Sequence, residues 1–176
     1  MANPKVVELV NKGVDYWNQW RSDYPEIQPD LSKAVLPKFN LQGYNLVGTD
    51  FREANLYGAS LAHSNLKGAN FSGADLRCCD LTAANLCDAC LFSTDFRKAN
   101  LSGALLKNAD LRLAFLRCCN LEKADFTAAN LRRADLTGAT LDGTIFHDVN
   151  LQLVNLTDVD LSKADLSNVV FSKDKR

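Results

Sequence analysis

The chain has 176 residues, 47% of them hydrophobic, with 20 basic against 21 acidic side chains and a formal net charge of −1. That balance excludes an overall cationic nucleic-acid binder and a strongly acidic chain alike. The length suits one domain. The segment 1–21 holds no uninterrupted apolar core, so no secretory leader is expected, and no stretch approaches the roughly 20 apolar residues that span a bilayer. The expectation is a cytoplasmic protein without membrane contact, and its six cysteines read as reduced thiols.

Residues 1–28 differ from everything that follows. Asn3-Pro4 suits a helix start, with Asn as cap and Pro in the first turn. Val6, Leu9, Val10, Val14, Trp17 and Trp20 recur at helical spacing and predict one apolar face, with Gly13 only weakening the helix. Pro25 and Pro29 end it and leave an extended connector. A repeat array exposes an apolar cross-section at its end and needs a cover. Val10, Val14, Trp17 and Trp20 are expected to supply it.

From Leu31 to Phe171 every fifth residue is Leu or Phe, 29 positions without a slip of phase. Two residues before such a centre sits a small residue, very often Ala. One before it is usually Asp or Asn, and polar residues or Gly mostly follow. A period of five matches neither the 3.6 of a helix nor the 2 of a strand. The chain must therefore turn a corner once per unit. Eight of the nine glycines, such as Gly43, Gly103 and Gly143, fall two residues after a centre, where a type II turn needs positive φ.

Ser64-Asn65-Leu66-Lys67-Gly68, Ala69-Asn70-Phe71-Ser72-Gly73 and Ala134-Asp135-Leu136-Thr137-Gly138 resemble the pentapeptide repeat family. The resemblance covers 29–173 and leaves 174–176 as a charged tail. It implies an all-β solenoid, a right-handed quadrilateral parallel β-helix with four pentapeptides to each coil, the centre and the small residue pointing inward. Seven coils at about 4.8 Å give a rod about 34 Å long. Every fourth centre from 31 to 171 belongs to face one, from 36 to 156 to face two, from 41 to 161 to face three and from 46 to 166 to face four. Val149, Val154, Val159 and Val169 replace the small residue late in the array and predict a fuller or wider bore. No helix is expected after the last coil. Either two copies pair end to end there, or the tail blunts the edge.

Chemistry-bearing clusters are sparse. Cys87 and Cys90 form a CxxC that lacks further ligands and a helix, and they read as incidental thiols. Cys79 and Cys119 stand at inward positions and read as bore filling. His63 and His147 lie four coils apart. No nucleophile, metal or phosphate-binding pattern emerges, so no enzyme and no cofactor are expected. Arg77, Arg97 and Arg117 stack in one outward column of face two, with Lys98 beside them. The column is either a recognition ladder or a solvated one neutralised by Asp75 and Asp95, and the second reading is favoured. At the third rung Phe115 replaces the acid, and Arg117 is expected to stack on it. Phe92, Leu113 and Leu153 are outward apolar residues on face one. They are either scattered surface residues, or Phe92 and Leu113 form an interaction patch with Cys90.

The functional expectation is a non-catalytic structural or interaction module with a protein partner that the sequence does not name. The resemblance carries an alternative: one branch of the family protects or inhibits DNA gyrase and related type II topoisomerases by mimicking DNA with acidic columns. The near-neutral charge and the Arg ladder disfavour it. Direct nucleic-acid binding is disfavoured by the missing aromatic interleaving. The resemblance also makes a cyanobacterial source the expectation.

Overall fold

A computed structural model describes residues 1–171; the tail lies outside the described residues. Two short helices, α1 (Pro4–Val10) and α2 (Val14–Asp23), precede a run of square coils. The Asn3 side chain caps α1 by accepting from Lys5 N at 3.0 Å, and Pro4 occupies the first helical position. The single helix expected from the sequence is two. Gly13 adopts φ 95° and ψ 170°, a backbone state that an α-helix cannot contain, so the chain breaks there and restarts at Val14.

The coils are joined by parallel bridges, each residue pairing with its counterpart four units on, from Asp30↔Asp50 to Asn150↔Val170. Each bridge is a single pair. A unit of five leaves room for only one extended pair before the next corner, so the coils carry isolated bridges rather than strands. The stacked rings confirm the rise: Phe51 and Phe71 are 4.7 Å apart between centroids, and Phe126 and Phe146 are 5.2 Å apart.

The corners follow one hydrogen-bond plan. The centre's carbonyl accepts from the amide three residues on, as in Ala54 N to Phe51 O at 3.0 Å. The Asp or Asn before the centre turns its Oδ1 onto the amide two residues on, as in Ser102 N to Asn100 Oδ1 at 3.1 Å. This Asx bond is why short polar acceptors dominate that position. The third residue of the turn has left-handed φ in 27 of the 28 corners from Leu31 to Leu166. Only eight of those residues are glycine. The ladder above and below, joined in most units by the Asx bond, holds the other 19 in a conformation that L-residues avoid. Lys163 is the exception, and Gly143 N there bonds Lys163 O, one residue out of register.

Leu, Phe and Ala fill the bore, with centres such as Leu81, Leu101 and Leu121 fully buried. Most polar residues at the small position stay satisfied by reaching back one coil to a centre carbonyl, while Ser64 donates to Leu61 O of its own coil. Thr94 Oγ1 donates to Phe71 O at 2.7 Å, and Cys79 and Cys119 donate to Leu56 O and Phe96 O, each at 2.9 Å. Thr49 has no such partner. It belongs to the first coil, so no earlier coil offers it a carbonyl.

The helices lie against that first coil. Trp17 is fully buried and donates Nε1 to Asn45 O at 2.7 Å. Tyr44 stands where other coils carry Ala, and its hydroxyl reaches Val10 O at 3.1 Å. Asn18 bridges Gly43 O and Asn45 N at 3.0 and 2.7 Å. Val10 is buried, while Val14 and Trp20 pack partly buried against the same cluster. Arg21 is buried here, donating to the carbonyls of Ile27 and Val47. Burial pulls its pKa below the usual guanidinium value. At the other end the last coil is less buried. Val154, Leu156, Leu161 and Leu166 are only partly buried, and Val170 and Phe171 are about half exposed. No helix among the described residues is long and apolar enough to cross a membrane.

Candidate interaction surface

With centre and small residue committed to the bore, chemistry on the rod falls to the three outward positions of each unit. The outward device that carries charge is D-x-R, present four times. Asp75 caps the Arg77 amide at 3.1 Å and grips the same guanidinium at 2.8 and 2.7 Å. Asp95 does the same for Arg97, and Asp50 for Arg52. The side-chain hydrogen bonds from Arg77 and Arg52 hold Asp75 and Asp50 below the usual carboxylate range.

The face-two residues singled out from the sequence do come together. Tyr57, Arg77, Cys78, Arg97 and Lys98 line a cleft of about 260 Å³, and Arg97, Phe115 and Arg117 line another of about 340 Å³ with Asp95 and Asp135. Arg77 lies over the Tyr57 ring at 5.6 Å, and the Cys78 thiol beside it raises the Tyr57 pKa. Arg117 does not take the expected place over Phe115. Its Nε lies 3.8 Å from an Asp135 carboxylate oxygen one coil on. A carboxylate at that distance outcompetes an exposed ring for the guanidinium. Each Arg of the ladder therefore has an acid.

Face one differs. Phe92 and Leu113, both 38% exposed, share a cleft of about 170 Å³ with Arg112, Arg132 and Arg133. Arg112 lies over the Phe92 ring at 5.7 Å while Asp110 holds its guanidinium at 2.7 Å. Cys90 is not in this cleft; its Sγ sits 3.1 Å from Ser72 Oγ. Arg132 and Arg133 were missed from the sequence. The available signal was Asn130, which stands where D-x-R units carry the neutralising Asp.

All six cysteines are free thiols. Burial pushes Cys79 and Cys119 up to about 12. No group of three potential metal ligands occurs among the described residues.

The pentapeptide repeat model matches in eight copies over 30–61, 54–91, 94–133 and 134–172. The chain is a pentapeptide repeat protein. The family fold is the right-handed β-helix, and the four-sided coils described above are its coils. HetL of the cyanobacterium Nostoc sp. strain PCC 7120, a protein involved in heterocyst differentiation regulation, is 33% identical over 82% of this chain and 73% of its own, with a TM-score of 0.60. Rfr23 from the cyanobacterium Cyanothece 51142 is 26% identical, covering 88% of this chain and 97% of its own at a TM-score of 0.27. Full-length QnrB1, a plasmid-mediated fluoroquinolone resistance protein, is 20% identical, covering 82% and 84% at a TM-score of 0.24. Comparison with curated proteins finds no significant match.

Proposed function

We propose that this pentapeptide repeat protein is a non-catalytic interaction module, a rod that presents outward side chains at fixed spacing to a protein partner. The observation that carries this reading is the division of labour along the coils. The inward residues and the Asx acceptors are consumed by the fold, and the departures from the outward polar rule are left for contacts: Phe92, Leu105, Leu113 and Phe115 on the middle coils, with Val35, Leu153 and Val170 nearer the ends. Helices α1 and α2 act as the N-terminal cap, so the sides rather than that end are offered to a partner. Likeness to a regulatory protein of Nostoc supports a regulatory partner over a metabolic one.

The DNA-mimic alternative is less well supported. A mimic needs unpaired acids in columns, whereas Asp50, Asp75, Asp95 and Asp110 are each spent on an Arg.

The test is affinity capture from extract of the source cell on the immobilised full chain, with Leu81→Asp as an unfolded control. Enrichment of a defined protein on the native chain alone supports the module. Equal enrichment on both, or none, contradicts it.

A further inference from the structure

Seven arginines point outward from the described coils. Five have a carboxylate: Arg52, Arg77, Arg97 and Arg112 within 2.6–2.7 Å of the Asp two residues before, and Arg117 at 3.8 Å from Asp135. Arg132 and Arg133 form no ion pair among the described residues, and both are exposed. The acids around them are engaged elsewhere, Asp110 by Arg112 and Asp135 by Arg117. For Arg132 the cause is one residue. Asn130 Oδ1 accepts from Arg132 N at 3.2 Å and so keeps the turn, but it brings no charge to the guanidinium.

Two adjacent uncompensated cations on a chain of net charge −1 form a local site for anionic groups. They are not alone there. Phe92 and Leu113 close the same cleft, and Leu153, 59% exposed, follows Arg133 one coil on. A cationic pair beside an open apolar slot matches a chain that carries both acids and a large apolar side chain. The Phe92 and Arg132 rungs are two coils apart, about 9.6 Å along the axis. About three extended residues cover that distance. A phosphate backbone fits less well. It would want a continuous cationic stripe, and here Arg112 is neutralised and the one aromatic face is covered by that Arg.

We propose that this corner of face one docks an extended acidic segment of the partner protein, seating one apolar side chain between Phe92 and Leu113 and its carboxylates on Arg132 and Arg133. The proposal rests on the interaction-module reading and adds to it the face and the chemistry of the ligand.

The test is a fluorescence-anisotropy titration of the full chain into a labelled synthetic peptide in which one Phe is flanked on both sides by glutamates. Saturable binding is expected, weakening with added salt and falling about tenfold for the Gln-for-Glu peptide and for the Arg132→Glu/Arg133→Glu chain. The Ser-for-Phe peptide and the Phe92→Ser chain should each weaken it as well. Arg52→Glu, on the same column but in a neutralised unit, should bind as the native chain does. A thermal melt checks each variant, and Arg132→Gln/Arg133→Gln replaces the reversed pair if that pair fails to fold. No saturable binding, or equal binding after the two arginines are reversed, overturns the proposal. Binding that ignores the Phe and is displaced by inorganic phosphate also overturns it, and reassigns the corner to phosphate. If affinity capture still yields a partner while the peptide fails, the module stands and this docking site falls.

Discussion

Asp110 holds Arg112 at three points: its Oδ1 accepts the Arg112 amide at 3.2 Å and Nε at 2.8 Å, and its Oδ2 accepts Nη2 at 2.7 Å. One side chain thus closes the turn and cancels the charge beside it. One coil later Asn130 performs only the first task for Arg132. The single step from Asp to Asn separates a silent surface from a cationic one.

Asp110→Asn should therefore extend the cationic corner without unfolding it. The amide oxygen still caps the turn, and Arg112 loses its acid. The Glu-flanked Phe peptide should bind this variant more tightly than the native chain, with the melting temperature little changed. Weaker binding would place the ligand elsewhere.

The inward and outward addresses carry opposite penalties. Leu81 is fully buried. Leu81→Asp therefore puts an unpaired charge in a dry bore, at a cost of about 3–5 kcal/mol. Ser102 lies outward, and its backbone alone is used: the amide donates to Asn100 Oδ1 and the carbonyl accepts from Ala83 N. A surface change of that kind, Ser102→Asp, should shift stability by less than about 0.5 kcal/mol. Urea denaturation of the pair checks both, and equal losses would contradict the addresses.

The left-handed corners reverse the usual rule for glycine. Ala83 and Ala128 sit at φ 52° and 58°. That conformation costs an L-residue about 1–2 kcal/mol, against roughly 0.5–1 kcal/mol for glycine's extra backbone entropy. Ala83→Gly and Ala128→Gly should each raise the denaturation midpoint, a net gain of about 0.5–1 kcal/mol. Gly103→Val should lower it, through backbone strain alone, because nothing lies within 4 Å of the added Cβ.

Acid should loosen the rod through the same Asp–Arg units. Hydrogen bonds from Arg52, Arg77 and Arg112 are the largest cause that depresses Asp50, Asp75 and Asp110. A folded-state pKa below the unfolded value means that the unfolded chain binds protons first. The contribution is complete above the ordinary Asp range near 4 and disappears as pH falls through the lower folded values. Melting temperature should hold level from about pH 7 to 5 and drop below about 4. Asp75→Asn/Asp110→Asn should flatten that drop; an unchanged acid limb would show that other groups cause it.

The repeat was legible because a period of five admits one solution, and Leu or Phe at each centre gave the bore directly. The glycines marked the corners because their φ requirement shows in composition. Other features lay beyond the pattern. Gly13 breaks the leading helix, yet its φ is set by how two short helices reach the first coil. Arg21 gains Ile27 O and Val47 O only once the connector folds back. Arg117 finds Asp135 across a coil, a pairing that competes with the local Phe115. Arg132 and Arg133 stand out only once every other outward Arg is seen to be paired.

The most direct measurement of the central claim is quantitative affinity capture from the source cell with three chains: native, Arg132→Glu/Arg133→Glu, and Arg77→Glu/Arg97→Glu. The expected result is a protein enriched by the native chain and by the face-two variant and lost from the face-one variant, with an acidic segment protected when the complex is digested. A partner lost only from the face-two variant, or no partner at all, would contradict it.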